Sequence, residues 1–282
     1  MQEVFLNGEF VPYEDASISP EDRGFNFADG LYEVIRVYNG RTFCMREHLE
    51  RLYSGAEELE MDIPYSYSDF VDISKQLLES NRLKEAMIYL QITRGVAPRS
   101  HPLPQQSEPT TFMFVRGASG PSEDIINNGV SVITQPDNRW GLCHIKTVGL
   151  LPNCIARTRA ERQGAFEALF VRDGFVTEAT ARTAFCVRDG VMYTHPLANI
   201  LPSITRLCIL RLAEENDWPL REQAVPVQQF IGADEIFIGG TVTEIVPVVK
   251  VDGQNVGDGK PGPVYRQVYQ AYQDLVDEHC NR

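Results

Sequence analysis

Apolar residues recur at helical spacing in two early stretches. In REHLERLYSGAEELEM, Leu49, Leu52, Ala56 and Leu59 share one face, and in SDFVDISKQLLESNRL Phe70, Ile73 and Leu77 do the same. The spacing predicts two amphipathic helices. After them β-branched and aromatic residues take over. AMIYLQITRG and TTFMFVRG each predict a strand, and the proline-bearing loop VAPRSHPLPQQSEP joins them. Four dipeptides lie between apolar or alternating runs: Asn7-Gly8, Asn39-Gly40, Asp173-Gly174 and Asp189-Gly190. Each predicts a two-residue β-hairpin turn. Further on, NCIARTRAERQG predicts a helix ending at Gly164, and SITRLCILRLAEENDW a longer one.

Strand groups interspersed with helices, many joined as hairpins, predict an α+β protein of two lobes. The turn-forming GASGPSED is the best boundary. It divides the chain into a small N-terminal α+β domain over residues 1–117, a linker at 118–123 and a larger C-terminal domain over 124–282. A small-molecule site is expected in the cleft between lobes.

Composition narrows the function. A formal net charge of −13 excludes the basic footprint of a nucleic-acid binder. No apolar stretch approaches the length of a membrane span, and the start, MQEVFLNGEFVPYEDAS, has no basic segment followed by an apolar run, so no secretory signal is expected. The six cysteines are scattered, with no C-x-x-C and no grouping with histidine. They read as reduced thiols in a cytoplasmic protein, with no metal site.

The candidate chemistry starts at Cys143-His144-Ile145-Lys146-Thr147-Val148, which reads as a short strand with a lysine in its middle. An ammonium is costly to bury without a partner. Lys146 is either a strand-end lysine whose head reaches water or an amine nucleophile that forms a Schiff base with a carbonyl. Phosphate-binding candidates accompany it. Ser203 or Thr205 begins a helix in LPSITRLCILRL, where free N–H groups favour an anion. Gly239-Gly240-Thr241 ends a strand where glycines let backbone approach a ligand. Arg51 offers a cation on the first helix. Singly, each has an ordinary structural use. Glu178, following GFV between two Asp-Gly turns, is either a solvated strand carboxylate or one that holds a proton on a cofactor ring nitrogen.

Together these pieces resemble a known family. DRGFNFADGLYEVIRVYNG, EHLERLY, ITRGVAPRSH, HIKT, VTEATARTAF, YTHP with LPSITR, and TVTEIVPV, in this order over nearly the whole chain, resemble the class IV (fold-type IV) pyridoxal-phosphate aminotransferases. Within these they are most similar to the D-amino-acid aminotransferases. The resemblance implies the two-lobed fold of that family with pyridoxal 5'-phosphate in the cleft. It implies that Lys146 carries the cofactor covalently and that Glu178 pairs with the pyridine nitrogen. Arg51, Ile204, Thr205 and Thr241 would hold the phosphate, and Leu201 would pack on the ring. Tyr32, Arg99 and His101 would grip the substrate α-carboxylate, the last two on a loop reaching in from the other subunit of a homodimer. D-amino acids and 2-oxo acids are then the substrates, interconverted by ping-pong transamination.

The chain departs from the pattern in places. Ala179-Thr180-Ala181-Arg182-Thr183 stands where a serine-rich run ending in asparagine is usual, Gly240 where a serine is usual, and Val148-Gly149 where leucine-asparagine is usual. Arg182 adds a cation of unassigned role. Rival activities within the family are branched-chain L-amino-acid transamination and the aminodeoxychorismate lyase reaction. A rival of another class is a non-catalytic dimeric scaffold, against which the trio Lys146, Glu178 and Arg51 counts.

Overall fold

A computed structural model describes residues 2–281. The chain divides into two compact units. One comprises the chain up to Ser119 together with Ile145–Gly149 and the residues from His279 on; the other comprises Gly120–His144 and Leu150–Glu278.

The first unit begins with the hairpin β1 (Glu3–Leu6) and β2 (Glu9–Pro12), the short helix α1 (Arg23–Phe27), β3 (Gly30–Tyr38) and β4 (Arg41–Thr42). Helices α2 (Met45–Glu58) and α3 (Tyr67–Ser80) follow, then β5 (Ala86–Thr93) and β6 (Thr110–Gly117). The strands form one antiparallel sheet in the order β2-β1-β6-β5-β3-β4. Its inner face buries Leu31, Ile35, Ile88, Leu90 and Met113 against Leu49, Leu52 and Ala56 of α2 and Phe70, Ile73 and Leu77 of α3. The helical spacing read from the sequence is therefore the stripe that makes this core, with Leu59 partly buried at its edge. Ser66 and Asp69 close a reciprocal cap at the start of α3.

The second unit runs α4 (Glu123–Asn128), β7 (Val130–Pro136), α5 (Leu151–Arg162), β8 (Glu167–Arg172), β9 (Phe175–Ala179), β10 (Thr183–Arg188) and β11 (Val191–Thr194). It continues with α6 (Ile204–Glu215), β12 (Leu220–Glu222), α7 (Val227–Ile231), β13 (Glu235–Gly240), β14 (Glu244–Val251), β15 (Gln254–Asn255) and α8 (Pro263–Cys280), of which His279 and Cys280 count with the first unit. Its sheet has the order β12-β11-β10-β13-β14-β7-β8-β9, with β15 beside β14. Parallel pairs β14–β7 and β7–β8 sit among antiparallel ones. Strands β10 and β13 are buried along almost their whole length, Phe185 stacking on Phe237 at 5.0 Å.

All four predicted Asx-Gly turns form, with φ of 48° to 52° at Asn7, Asn39, Asp173 and Asp189. A fifth, Asp252-Gly253, joins β14 to β15.

The lysine segment differs from the sequence reading in two ways. It is not a strand: a three-residue turn centred on Lys146, closed by the Thr147 N–H to the Ile145 carbonyl at 2.9 Å, interrupts it. Nor does residue order place it. Ile145–Gly149 belongs to the first unit, not to the C-terminal part of the chain, because its hydrogen bonds go to β3. The Tyr32 N–H donates to the Lys146 carbonyl at 3.1 Å, the Val148 N–H to the Gly30 carbonyl at 3.0 Å, and Leu31 and Thr147 form a bridge. β4 occupies the other end of the same edge of β3.

Candidate active site

In the first unit the pairing of Leu31 with Thr147 sets Tyr32 opposite Lys146, so both side chains leave on one face. The Lys146 Nζ lies 4.0 Å from the centroid of the Tyr32 ring. Ile145, one residue earlier, turns the other way into the core beside Leu31 and α2. Main-chain bonds on one side and a buried isoleucine on the other thus fix where the amine can reach. Lys146 and Tyr32 are both half-buried.

Arg51 sits on α2, where its guanidinium meets Glu33 in a two-pronged ion pair: Nε donates to Oε1 and Nη2 to Oε2, both at 2.8 Å. Glu33 lies on the core face of β3, fully buried, and also accepts from His48 Nδ1 at 2.7 Å. Burial alone raises its pKa, but the Arg51 and His48 side chains outweigh that and bring it down to about 2. Burial pushes the His48 imidazole below its ordinary pKa, and the positive charges of Arg51 and Lys146 add to this against the pull of Glu33. A neutral imidazole beside an ionised carboxylate carries its proton on Nδ1.

Arg99 and His101 are exposed, on the loop between β5 and β6. Both rest on Phe27: the Arg99 guanidinium lies 5.1 Å from its ring centroid and the His101 ring 5.8 Å away, edge-on. The neck of this loop is tight. Gly95 has φ +92°, and a Cβ there would fall 1.8 Å from the Glu108 carbonyl oxygen.

In the second unit Glu178, on β9, is buried. Its Oε1 accepts from Arg139 Nη1 and, at 3.1 Å, from the Leu201 N–H. Burial raises the Glu178 pKa more than Arg139 lowers it. Arg139 is in turn gripped by Asp137, which takes its Nε at 2.9 Å and Nη2 at 2.8 Å, and it lies over the Phe170 ring. Arg172 completes the chain of charges at 3.1 Å from Asp137.

Helix α6 starts with Ser203 as its cap, accepting from the Arg206 N–H at 3.3 Å. Ile204 and Thr205 are buried, and the N–H groups of this first turn have no acceptor within the helix. Strand β13 ends against it so closely that a Cβ at Gly239 would lie 2.9 Å from the Thr205 methyl. Thr241 follows in the turn between β13 and β14. Arg182 spans this turn, its Nε donating to the Thr243 hydroxyl at 2.8 Å and its Nη1 pairing with buried Glu167. The backbone beside Gly240 is therefore packed by Arg182, whose Cγ lies 3.1 Å from a Cβ built there.

The structure thus brings Lys146 onto Tyr32 in one unit, and ties Glu178 to Leu201 and the Gly239–Thr241 strand end to α6 in the other. It adds residues that the sequence reading missed. Glu33 had a legible signal: a charge at the core position of the alternation Leu31, Glu33, Ile35, Val37. His48 lies three residues before Arg51 on the same helix face. Asp137 and Arg139 follow a strand in irregular chain and had none.

Residues 30–251 match the family model described as amino-transferase class IV. The D-alanine aminotransferase of Staphylococcus aureus (strain MSSA476) is 40% identical over 281 residues, covering 99% of each chain. Among solved structures, the Escherichia coli branched-chain amino acid aminotransferase superposes with a TM-score of 0.92 at 27% identity, covering 99% of this chain and 95% of that one. The branched-chain aminotransferase of the thermophilic archaeon Thermoproteus uzoniensis, solved with norvaline, gives 0.91 at 25%, covering 99% and 95%.

Proposed function

Because this chain belongs to the class IV aminotransferases, we propose that it moves the amino group of D-amino acids, of the D-alanine and D-glutamate type, to 2-oxo acids. The cofactor is pyridoxal 5'-phosphate and the mechanism ping-pong. One geometric observation carries the transaminase reading: the Lys146 amine is held at the Tyr32 ring by main-chain bonds to β3. The identity of 40% over 99% of the chain to a D-alanine aminotransferase supports the D-substrate class.

The residues present fit the cofactor. A buried helix start, whose Arg206 N–H goes to Ser203, suits a phosphate at the N–H groups of Ile204 and Thr205; these and Thr241 would hold it there, with Arg51 as the fixed cation. Both hydrogen bonds to Glu178 end on Oε1, which leaves Oε2 for the ring N–H, and Leu201 would lie on the ring. Bound, the cofactor supplies a sink for the electrons left at Cα when its proton departs. Lys146 holds the cofactor and, once released from it, takes the Cα proton as general base. Glu33 keeps the Arg51 guanidinium aimed by occupying its Nε and Nη2 edge. Glu178 keeps the ring nitrogen protonated.

Tyr32, Arg99 and His101 bind the substrate α-carboxylate, a guanidinium meeting a carboxylate through two parallel bonds. Fixing the carboxylate fixes which enantiomer turns its Cα–H toward Lys146. In this reading the protein is a homodimer whose Arg99–His101 loops serve the neighbouring subunit. It works in the cytoplasm, in keeping with six scattered cysteines.

The test is a half-reaction panel on cofactor-loaded protein, following the cofactor spectrum with each enantiomer of alanine, glutamate and leucine. D-alanine and D-glutamate are expected to convert it. Conversion by L-leucine and by neither D-amino acid would replace the proposal with branched-chain L-transamination.

A further inference from the structure

Asp22 caps α1, and Arg23 and Gly24 open it, yet nothing in the reaction above uses them. Their long-range contacts lead to the loop that carries Arg99 and His101. The Arg23 N–H donates to the Gly95 carbonyl at 2.9 Å, at the start of the loop. The Arg23 side chain reaches further along it, Nη1 donating to the Ser100 carbonyl at 2.7 Å, in the residue between Arg99 and His101. The guanidinium is itself fixed: Nε donates to Asp29 at 2.7 Å, and the group lies 4.7 Å from the centroid of Phe27. Phe27 is the same ring on which Arg99 and His101 rest. Asp22 completes the hold from the other side, bridging Val96 and accepting from the Thr93 hydroxyl at 2.9 Å. Asp29 also receives Arg94 at 2.8 Å, and Arg94 in turn donates to the carbonyls of Leu59 and Glu60, both at 2.7 Å. The anchor therefore reaches the end of α2.

Arg23 is only 4% exposed, whereas Arg99 and His101 are exposed. A buried guanidinium that donates to a loop carbonyl is a rigid peg, while long exposed side chains sample many rotamers. The loop carbonyl its side chain takes is flanked by both residues that would touch the substrate.

We propose that Arg23, with Phe27 as its platform, is a positioning residue for substrate recognition: it pins the Ser100 carbonyl so that Arg99 and His101 present one geometry to the substrate carboxylate. This rests on the reading of Arg99 and His101 given above. Arg23 touches no substrate. Its effect passes through the direction of the two side chains beyond it.

The test is a double-mutant cycle in D-alanine kinetics at saturating 2-oxoglutarate, on cofactor-loaded protein. Arg23→Gln is expected to raise KM for D-alanine roughly ten- to a hundredfold, the cost of a misplaced binding group, while kcat falls less than about threefold. In an Arg99→Ala background the same change should alter KM by less than about twofold, because the residue it positions is gone. Phe27→Leu removes the platform without touching the ion pair to Asp29, and carries the same expectation where Arg23→Gln does not fold. A readout independent of activity is tryptic cleavage after Arg99 in cofactor-free protein below its unfolding temperature, expected to be faster in both variants. Additive losses with Arg99→Ala, or a fall in kcat at constant KM, overturn the proposal while the Arg99 reading stands. An unchanged KM in Arg99→Ala alone overturns both.

Discussion

Lys146 and Tyr32 face each other across a single antiparallel bridge, with the lysine Nζ 4.0 Å from the centre of the tyrosine ring. Main-chain register sets the two residues opposite each other. Replacing Lys146 with alanine should leave the backbone bonds intact and remove the amine alone. Transamination is expected to drop by about 10²–10⁴-fold, the usual contribution of a positioned proton-transfer group. Borohydride reduction followed by peptide mapping should place the cofactor label at Lys146 in the natural protein. A label on another residue would end the proposed mechanism.

Glu33 gives a prediction about pH. Its folded pKa, about 2, lies below its ordinary value, so the folded state binds fewer protons and is favoured above the ordinary carboxylate range. That contribution should be lost as pH falls from about 4.5 toward 2. His48 is lowered as well, so it adds a loss of stability that begins as pH drops below about 6.5. Urea unfolding as a function of pH should show both limbs, and His48→Gln should abolish the upper one. Persistence of the upper limb in that variant would refute the neutral-imidazole assignment.

Glu33→Gln breaks the pair with Arg51 without changing shape. Removing one partner of a buried ion pair typically costs about 3–5 kcal/mol, to be read from denaturant midpoints. Affinity for pyridoxal 5'-phosphate should fall too, because Arg51 loses the group that aims it. Equilibrium dialysis of the variant checks this second effect separately.

Gly95→Ala is expected to loosen the Arg99–His101 loop, since the added carbon meets the Glu108 carbonyl and φ is +92°. Strain of this kind costs about 1–3 kcal/mol. A rise in KM for D-alanine with little change in cofactor binding is the expected signature. Equal losses in both would point to general misfolding.

Arg139→Met removes the cation paired with buried Glu178, while Asp137 keeps Arg172 at 3.1 Å. With the Arg139 charge gone, burial should raise the Glu178 pKa further, so the visible spectrum of bound cofactor should respond to pH differently from that of the natural protein. A spectrum with the same pH dependence as that of the natural protein would show that Arg139 does not hold the charge on Glu178.

Most of the first unit was legible because its signals are local. The stripe Leu49, Leu52, Ala56 needs only helical spacing, and the Asx-Gly turns need only the left-handed backbone those residues tolerate. The Lys146 segment reads as a strand because its composition is β-like, while its conformation is imposed from elsewhere: β3 holds the Lys146 carbonyl and the Val148 N–H, and a tight turn bends the chain at Lys146. The partners of the site residues were hidden for a related reason. Arg139 and Glu178 are 39 residues apart and Arg23 and Ser100 are 77 apart, and no periodicity links positions at such separations. Glu33 is the instructive exception, since a carboxylate on the apolar face of a strand announces a buried cation before any coordinates exist.

Residues 145–149 bond to the edge of β3 in a unit whose strands all lie before residue 120. During synthesis that segment can reach the edge beside Gly30 and Tyr32 only after 30 residues beyond Ser119 have been made. A fragment ending at Ser119 would own Tyr32, the Arg51–Glu33 pair and the loop, yet lack Lys146. Supplying it in trans with a peptide spanning residues 143–150 offers a complementation assay for how far that edge is preformed.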